Sequence, residues 1–338
     1  MLSLAANVLF VLASPQIAQS EVAGWSNIKG SVGILVRGGE TRCAAVFISR
    51  EGYLVANTQS VKKGVTDVMT SSGQRYPVFI EASDNISQLT LLRTASPPKN
   101  ITPVQVAEVN DGKTSSIFAV VPNAAFKAEL TGSEKIGVEQ KSNRAYPLQE
   151  IRVEQPAITM GGALLFSTRG RFIGTIYASL ESASYSDLKQ RGAESQLLLN
   201  NSQSRNLGPQ GLVVAYTPSW EITSKAVAGF LSPSKQAQFG YLGVMVSSAQ
   251  PSGVEVKSIA KGSGAELGGI RVGDIITNID GSEIRNQVDF SKALYRLNPG
   301  VPATISLIRN GNSLKLSVPV GVQLTWAGGR QEHATGLF

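Results

Sequence analysis

Histidine occurs once in these 338 residues, at His333, and cysteine once, at Cys43. Those two counts limit the chemistry. A single cysteine allows no intrachain disulfide, and without a His or Cys cluster no zinc or iron site is expected. No oxygen-rich loop suits calcium, so no metal and no cofactor are expected. A hydroxyl nucleophile needs a general base, and the base needs an orienting group. Ser60 and Thr159 offer hydroxyls, and Lys62 or Lys63 would serve in a Ser–Lys arrangement. Lys62-Lys63-Gly64 reads better as an ordinary exposed turn. Glu51 and Asp84 read as solvated turn residues, since no second carboxylate is placed to pair with them. Cys43, in Thr41-Arg42-Cys43-Ala44-Ala45-Val46-Phe47-Ile48, sits where a free thiol packs as a small hydrophobe.

The elements that must position such residues are short and extended. With 34 Gly, 42% hydrophobic and 16% charged residues, the chain has the composition of a turn-rich β protein of two or three domains. The formal charge of +7 is spread over scattered Lys and Arg with no run of five, and no nucleic-acid motif is present, so a basic but unspecialised surface is expected. From residue 30 to about 178, β-type runs such as Gly33-Ile34-Leu35-Val36 and Phe172-Ile173-Gly174-Thr175-Ile176 alternate with turn residues, which argues for barrels or sandwiches. Between 182 and 210 Ser, Asn, Gln and Gly predominate, predicting a long mobile loop. Gly211–Tyr216 predicts a strand, Pro218-Ser219 an N-cap, and Trp220–Leu231 a helix.

The last unit reads strand, loop, short helix, strand, helix, strand, turn, strand. Arg309-Asn310-Gly311-Asn312 between two apolar runs signals a hairpin. Asn286–Leu297 predicts an amphipathic helix with Phe290, Ala293, Leu294 and Leu297 on one face, ended by Asn298-Pro299-Gly300. At the other end, an apolar stretch from Leu2 to Ala13 precedes Ala18-Gln19-Ser20, so residues 1–20 read as a signal peptide cleaved before Glu21, though without a positive start. The run is too short for an ordinary spanning helix. An exported, envelope-resident protein without stable membrane insertion is expected.

The terminal unit resembles a PDZ domain of the bacterial HtrA kind. The resemblance rests on Gly240-Tyr241-Leu242-Gly243-Val244 and on the run Ala265–Gly281, with Gly273-Asp274-Ile275-Ile276 at its centre. It implies that the N–H groups of Leu242 and Gly243 form a nest for a terminal carboxylate, and that the strand from Val244 pairs with an extended peptide. Tyr241, Leu242 and Val244 would line an apolar pocket, with Ser291 and Tyr295 bordering the groove. Protein C-termini or extended peptides are the implied partners.

Upstream, Ser49–Asn57, Ser83–Leu92 and Ile158–Leu164 resemble the stretches that carry the catalytic residues of HtrA serine proteases. At the three catalytic positions this chain has Gln59 for histidine, Gln88 for aspartate and Met160 for serine. Glutamine amides do not exchange protons near neutral pH, and methionine is no nucleophile. The resemblance therefore implies a trypsin-like double β-barrel over 28–232 without its triad, a PDZ domain (small α+β) over 238–322, and a tail at 323–338. It also implies a homotrimer or a hetero-oligomer with an active HtrA protein. The ending Thr335-Gly336-Leu337-Phe338 is of the apolar kind that PDZ pockets accept.

Overall fold

The computed structural model describes residues 22–61, 64–108, 116–122, 124–139, 144–153, 162–176, 178–180 and 213–324. The expected signal segment, the 182–210 loop and the tail beyond 324 lie outside these, as do Lys62, Lys63, Thr159, Met160 and His333.

After a short helix α1 (Trp25–Ile28), six strands close a barrel in the order β1 (Val32–Arg37), β2 (Glu40–Phe47), β3 (Tyr53–Asn57), β6 (Leu89–Thr94), β5 (Arg75–Asp84), β4 (Asp67–Thr70). A single turn, α2 (Thr58–Val61), follows β3. The run from Cys43 to Ile48 shows no polar alternation because both faces of β2 are covered. Cys43, Ala45 and Phe47 join one cluster with Leu35, Leu54 and Leu92. Their neighbours Ala44, Val46 and Ile48 join another with residues of the next sheet, including Phe118, Phe166 and Phe172.

That next sheet has seven strands, ordered β11 (Phe172–Thr175), β10 (Leu164–Ser167), β7 (Ser116–Val121), β8 (Ala124–Glu139), β9 (Arg144–Val153), β13 (Val213–Pro218), β12 (Ala178–Leu180), and it curls until β11 touches β13. Stacking of Phe118 on Phe166, centroids 5.5 Å apart, fills the seam between the two sheets. A helix α3 (Trp220–Leu231), with Ser219 at its N-cap, closes this half at the residues expected.

The final unit pairs β14 (Gln238–Tyr241) with β21 (Gly321–Leu324) and builds a second sheet in the order β15 (Val244–Ser248), β16 (Val254–Ile259), β17 (Ile275–Ile279), β19 (Ala303–Arg309), β20 (Asn312–Val318), with β18 (Ser282–Glu283) paired to β17. Two helices cover it, α4 (Gly264–Leu267) and α5 (Gln287–Arg296). Asn286 caps α5 by accepting the N–H groups of Val288 and Asp289 at 2.8 and 3.0 Å. The expected hairpin forms with Arg309 opposite Asn312 and positive φ at Asn310 and Gly311, the geometry of a type I′ turn. The mainly β architecture agrees with the sequence reading.

Candidate functional site

Two places carry the residues singled out above. The first is the corner where β3 passes into α2. Asn57 is buried there and ties the two halves of the barrel domain together, its Nδ2 donating to Thr175 Oγ1 on β11 at 3.1 Å. Its Oδ1 accepts the N–H groups of Gln59 at 3.0 Å and Ser60 at 3.3 Å. Gln59 is therefore fixed at the mouth of the corner, half-buried.

Across the corner, the turn between β5 and β6 delivers Gln88, whose carbonyl accepts Thr58 N–H at 2.9 Å. Gln88 is buried with φ of 58°, its Nε2 donates to the Asn85 carbonyl, and its Oε1 has no partner among the described residues. Gly162 reaches the same corner: a Cβ there would lie 2.3 Å from Ser60 Oγ, and its φ is +89°. Gln59, Gln88 and the turn two residues past Met160 thus converge, while Met160 itself lies outside the described residues.

One expectation is corrected here. Asp84 is fully buried, not solvated, because its Oδ2 accepts Ser87 N–H at 2.7 Å and caps the turn that carries Gln88. Glu51 is exposed as expected, and the Ser49 hydroxyl beside it draws its carboxyl below the ordinary value.

The second place is the loop between β14 and β15. The Leu242 carbonyl accepts Ala265 N–H at 2.9 Å, and the Gly243 carbonyl accepts Ala260 N–H at 2.8 Å. With both carbonyls tied inward, the N–H groups of Leu242 and Gly243 meet no acceptor among the described residues. Gly243 has φ of +80°, and a Cβ on it would fall 2.2 Å from Ser263 Cβ. Only glycine makes this loop. Beyond it, β15 is the last strand of its sheet, paired with β16 on one edge and, among the described residues, with no strand on the other. Val244 and Val246, half-buried, face the apolar cluster that includes Leu242, Phe290 and Leu294. A groove with unused N–H donors at one end, an open strand edge along one side and an apolar floor can take an extended chain by strand addition.

Of the two helix residues placed beside that groove from the sequence, Tyr295 belongs elsewhere. Tyr295 packs edge-on against Phe239 at 5.1 Å, and its hydroxyl donates to the Ala145 carbonyl on β9 at 3.3 Å. Ser291 is buried, its Oγ without a partner among the described residues. Tyr295 lies off the PDZ core face, as its spacing indicated, but its side of α5 is covered by the barrel domain. Lys292 meets Glu134 at 2.7 Å and Arg296 meets the buried Glu221 at 2.6 Å across the same contact. Lys225 on α3 donates to the Leu297 carbonyl at 3.1 Å, and burial pushes its ammonium pKa down. The sequence reading missed Gln287, whose Nε2 donates to the Val246 carbonyl at 2.9 Å across the groove.

The Gly-Asp signature proves structural. Asp274 is buried and takes a two-pronged bond from Arg309, Nε to Oδ1 and Nη2 to Oδ2, both 2.7 Å, plus Arg271 N–H at 2.8 Å. Burial pushes the Asp274 carboxyl up, but the Arg309 and Arg271 hydrogen bonds and charges together outweigh it and hold the carboxyl below its ordinary value.

A trypsin-like double-barrel fold followed by a small α+β module is the class these elements define. Residues 240–320 match the PDZ domain family. Among solved structures, an HtrA-type protease, AlgW, with a tripeptide superposes with a TM-score of 0.59 at 22% identity, covering 92% of this chain and 100% of that one. The serine endoprotease from Yersinia pestis gives 0.52 at 16% identity, covering 88% and 95%. A DegP-like periplasmic serine endoprotease of Pseudomonas fulva is 31% identical over 134 residues, 36% of this chain and 27% of its own length. The chloroplastic Protease Do-like 1 of Arabidopsis thaliana is 23% identical over 280 residues, 80% of this chain and 61% of its own. The matches to these last two relatives thus span less than two thirds of their own length. The chain is HtrA/DegP-like and carries a PDZ domain. Among the described residues no helix is long and apolar enough to cross a membrane.

Proposed function

We propose that this chain is a catalytically inactive HtrA-like protein that captures protein C-termini or extended peptides in its PDZ groove, as a scaffold or regulator of protein quality control in the cell envelope. The observation that carries the reading is the pair of unused N–H groups at Leu242 and Gly243, beside an unpaired strand edge and an apolar floor. Relatives named as periplasmic proteases support export. Inactivity follows from Gln59, Gln88 and Met160 at the positions that resemble the catalytic histidine, aspartate and serine, with His333 the sole histidine of the sequence.

The decisive experiment is calorimetric titration of the full chain with peptides ending in an apolar residue, each as free carboxylate and as C-terminal amide. Binding of the acid at micromolar Kd with at least a tenfold loss for the amide supports the reading, and equal affinities would sink it. A casein digest run beside an active HtrA protease tests the inactive half of the proposal. Cleavage that disappears on changing Ser60, Thr159 or Lys62 would instead establish the alternative, a serine endopeptidase with unfamiliar catalytic residues. The protease names of the relatives favour that alternative. Size-exclusion chromatography with and without such a protease tests the remaining reading, a homotrimer or a subunit that co-assembles with it.

A further inference from the structure

The unpaired edge of β15 is not wholly open. Gly243 directs its carbonyl toward β16, where Ala260 N–H takes it. Backbone groups alternate along a strand, so Val244 and Val246 turn theirs to the groove edge. The register irregularity in the β15–β16 pair adds its extra residue to β16, since Met245 and Val246 pair with Ser258 and Val256, and the alternation of β15 survives. The Val246 carbonyl, on the groove edge, is already taken by Gln287 Nε2 at 2.9 Å.

Gln287 is held for this contact. It is the first residue of α5, directly after the Asn286 cap, and the segment before it is fixed by Gly253 N–H on the Arg285 carbonyl and by the Arg285–Asp289 ion pair at 3.0 Å. Its amide reaches from the helix to the strand across the space an added strand would enter.

We infer that Gln287 is a latch on the groove: its side chain crosses the space an added strand would enter and its amide sits on the Val246 acceptor, so a ligand that pairs along this edge displaces it. This rests on the groove reading above. A ligand running antiparallel to β15 with its carboxylate on Leu242 and Gly243 sets its last residue against Val244 and its third-from-last residue against Val246. The N–H of that third-from-last residue is the competitor. Short peptides with poor strand geometry are thereby disfavoured over ones that pair along the whole edge.

The test compares the full chain with Gln287→Ala, which keeps a good helix former exposed at the helix start and preserves the fold. The probe is a fluorescein-labelled hexapeptide ending in Ala-Val-Phe with a free carboxylate, and its analogue N-methylated at the Ala. Loss of one neutral hydrogen bond from the empty groove raises affinity about two- to tenfold for the parent peptide in the variant. The methylated analogue has no N–H for Val246 and gains nothing. Unchanged or weaker parent binding in the variant overturns the latch, as does a gain that persists with the analogue. If neither protein binds the parent peptide, the groove reading itself fails and the latch with it. Binding by the variant alone supports both.

Discussion

The corner around Asn57 and the groove beside Gly243 are built on opposite uses of hydrogen bonding. In the corner, most polar groups face each other: Asn57 serves Thr175, Gln59 and Ser60, Asp84 serves Ser87, and Thr90 donates to Thr58 at 3.1 Å, with Gln88 Oε1 and Ser87 Oγ the exceptions among the described residues. In the groove, the N–H groups of Leu242 and Gly243 meet no acceptor among the described residues, and the outer edge of β15 is met only by the Gln287 side chain. Polar groups satisfied internally stabilise a scaffold, while donors held outward by inward-tied carbonyls make a binding surface. One chain can therefore hold an internally bonded polar corner and an outward-facing groove side by side.

The strongest way to break this contrast is Gly243→Glu. The side chain would start inside Ser263 and the backbone is at positive φ, so peptide binding should fall at least a hundredfold by calorimetry. Gln59→Ala in the corner should leave that affinity unchanged; a matching loss there would erase the distinction. Next in size is Arg309→Met, which leaves the Asp274 carboxylate buried and without its fork, destabilising the PDZ domain by about 3–5 kcal/mol in denaturant titration.

Asp84→Ala is the matching change in the barrel. It leaves the buried Ser87 N–H uncapped, for a loss of about 1–3 kcal/mol with peptide affinity retained. The smallest effect is in acid. Asp274 has a lowered folded-state pKa, so its contribution is fully present above the ordinary carboxylate value of 3.8 and is lost as pH falls through the lowered one. Wild-type stability should carry that acid-limb loss, and Asp274→Asn should flatten it.

The PDZ unit was readable in the sequence because its markers sit at backbone positions few residues tolerate: Gly243 in the loop, Asn310-Gly311 in the hairpin, Asn286 at the helix start. The barrel strands were readable as short apolar runs, but β8 was not. Gly132 and Gly137 interrupt it, and its pairing with β9 shifts between Leu130 and Glu134. The roles of Tyr295, Lys292 and Arg296 were illegible for a different reason. Their partners Ala145, Glu134 and Glu221 lie 75 to 158 residues away. A signal did exist: Lys292 and Arg296, four apart with Tyr295 between them, mark a second face on α5. Asp84 was misread because the Ser87 N–H it accepts is a backbone group, which no pattern of charges reveals.

Cys43 gives the contrast a clock. It is the only thiol in the sequence and lies buried in the closed barrel, in an apolar cluster that includes no residue of the peptide groove. Its rate of labelling by a small disulfide reagent therefore reports how often that barrel opens, separately from any event in the PDZ domain. Saturating the groove with peptide and watching that rate reads directly whether the bonds across α5 carry binding energy into the scaffold. A constant rate would mark the two halves as mechanically independent despite their shared helix.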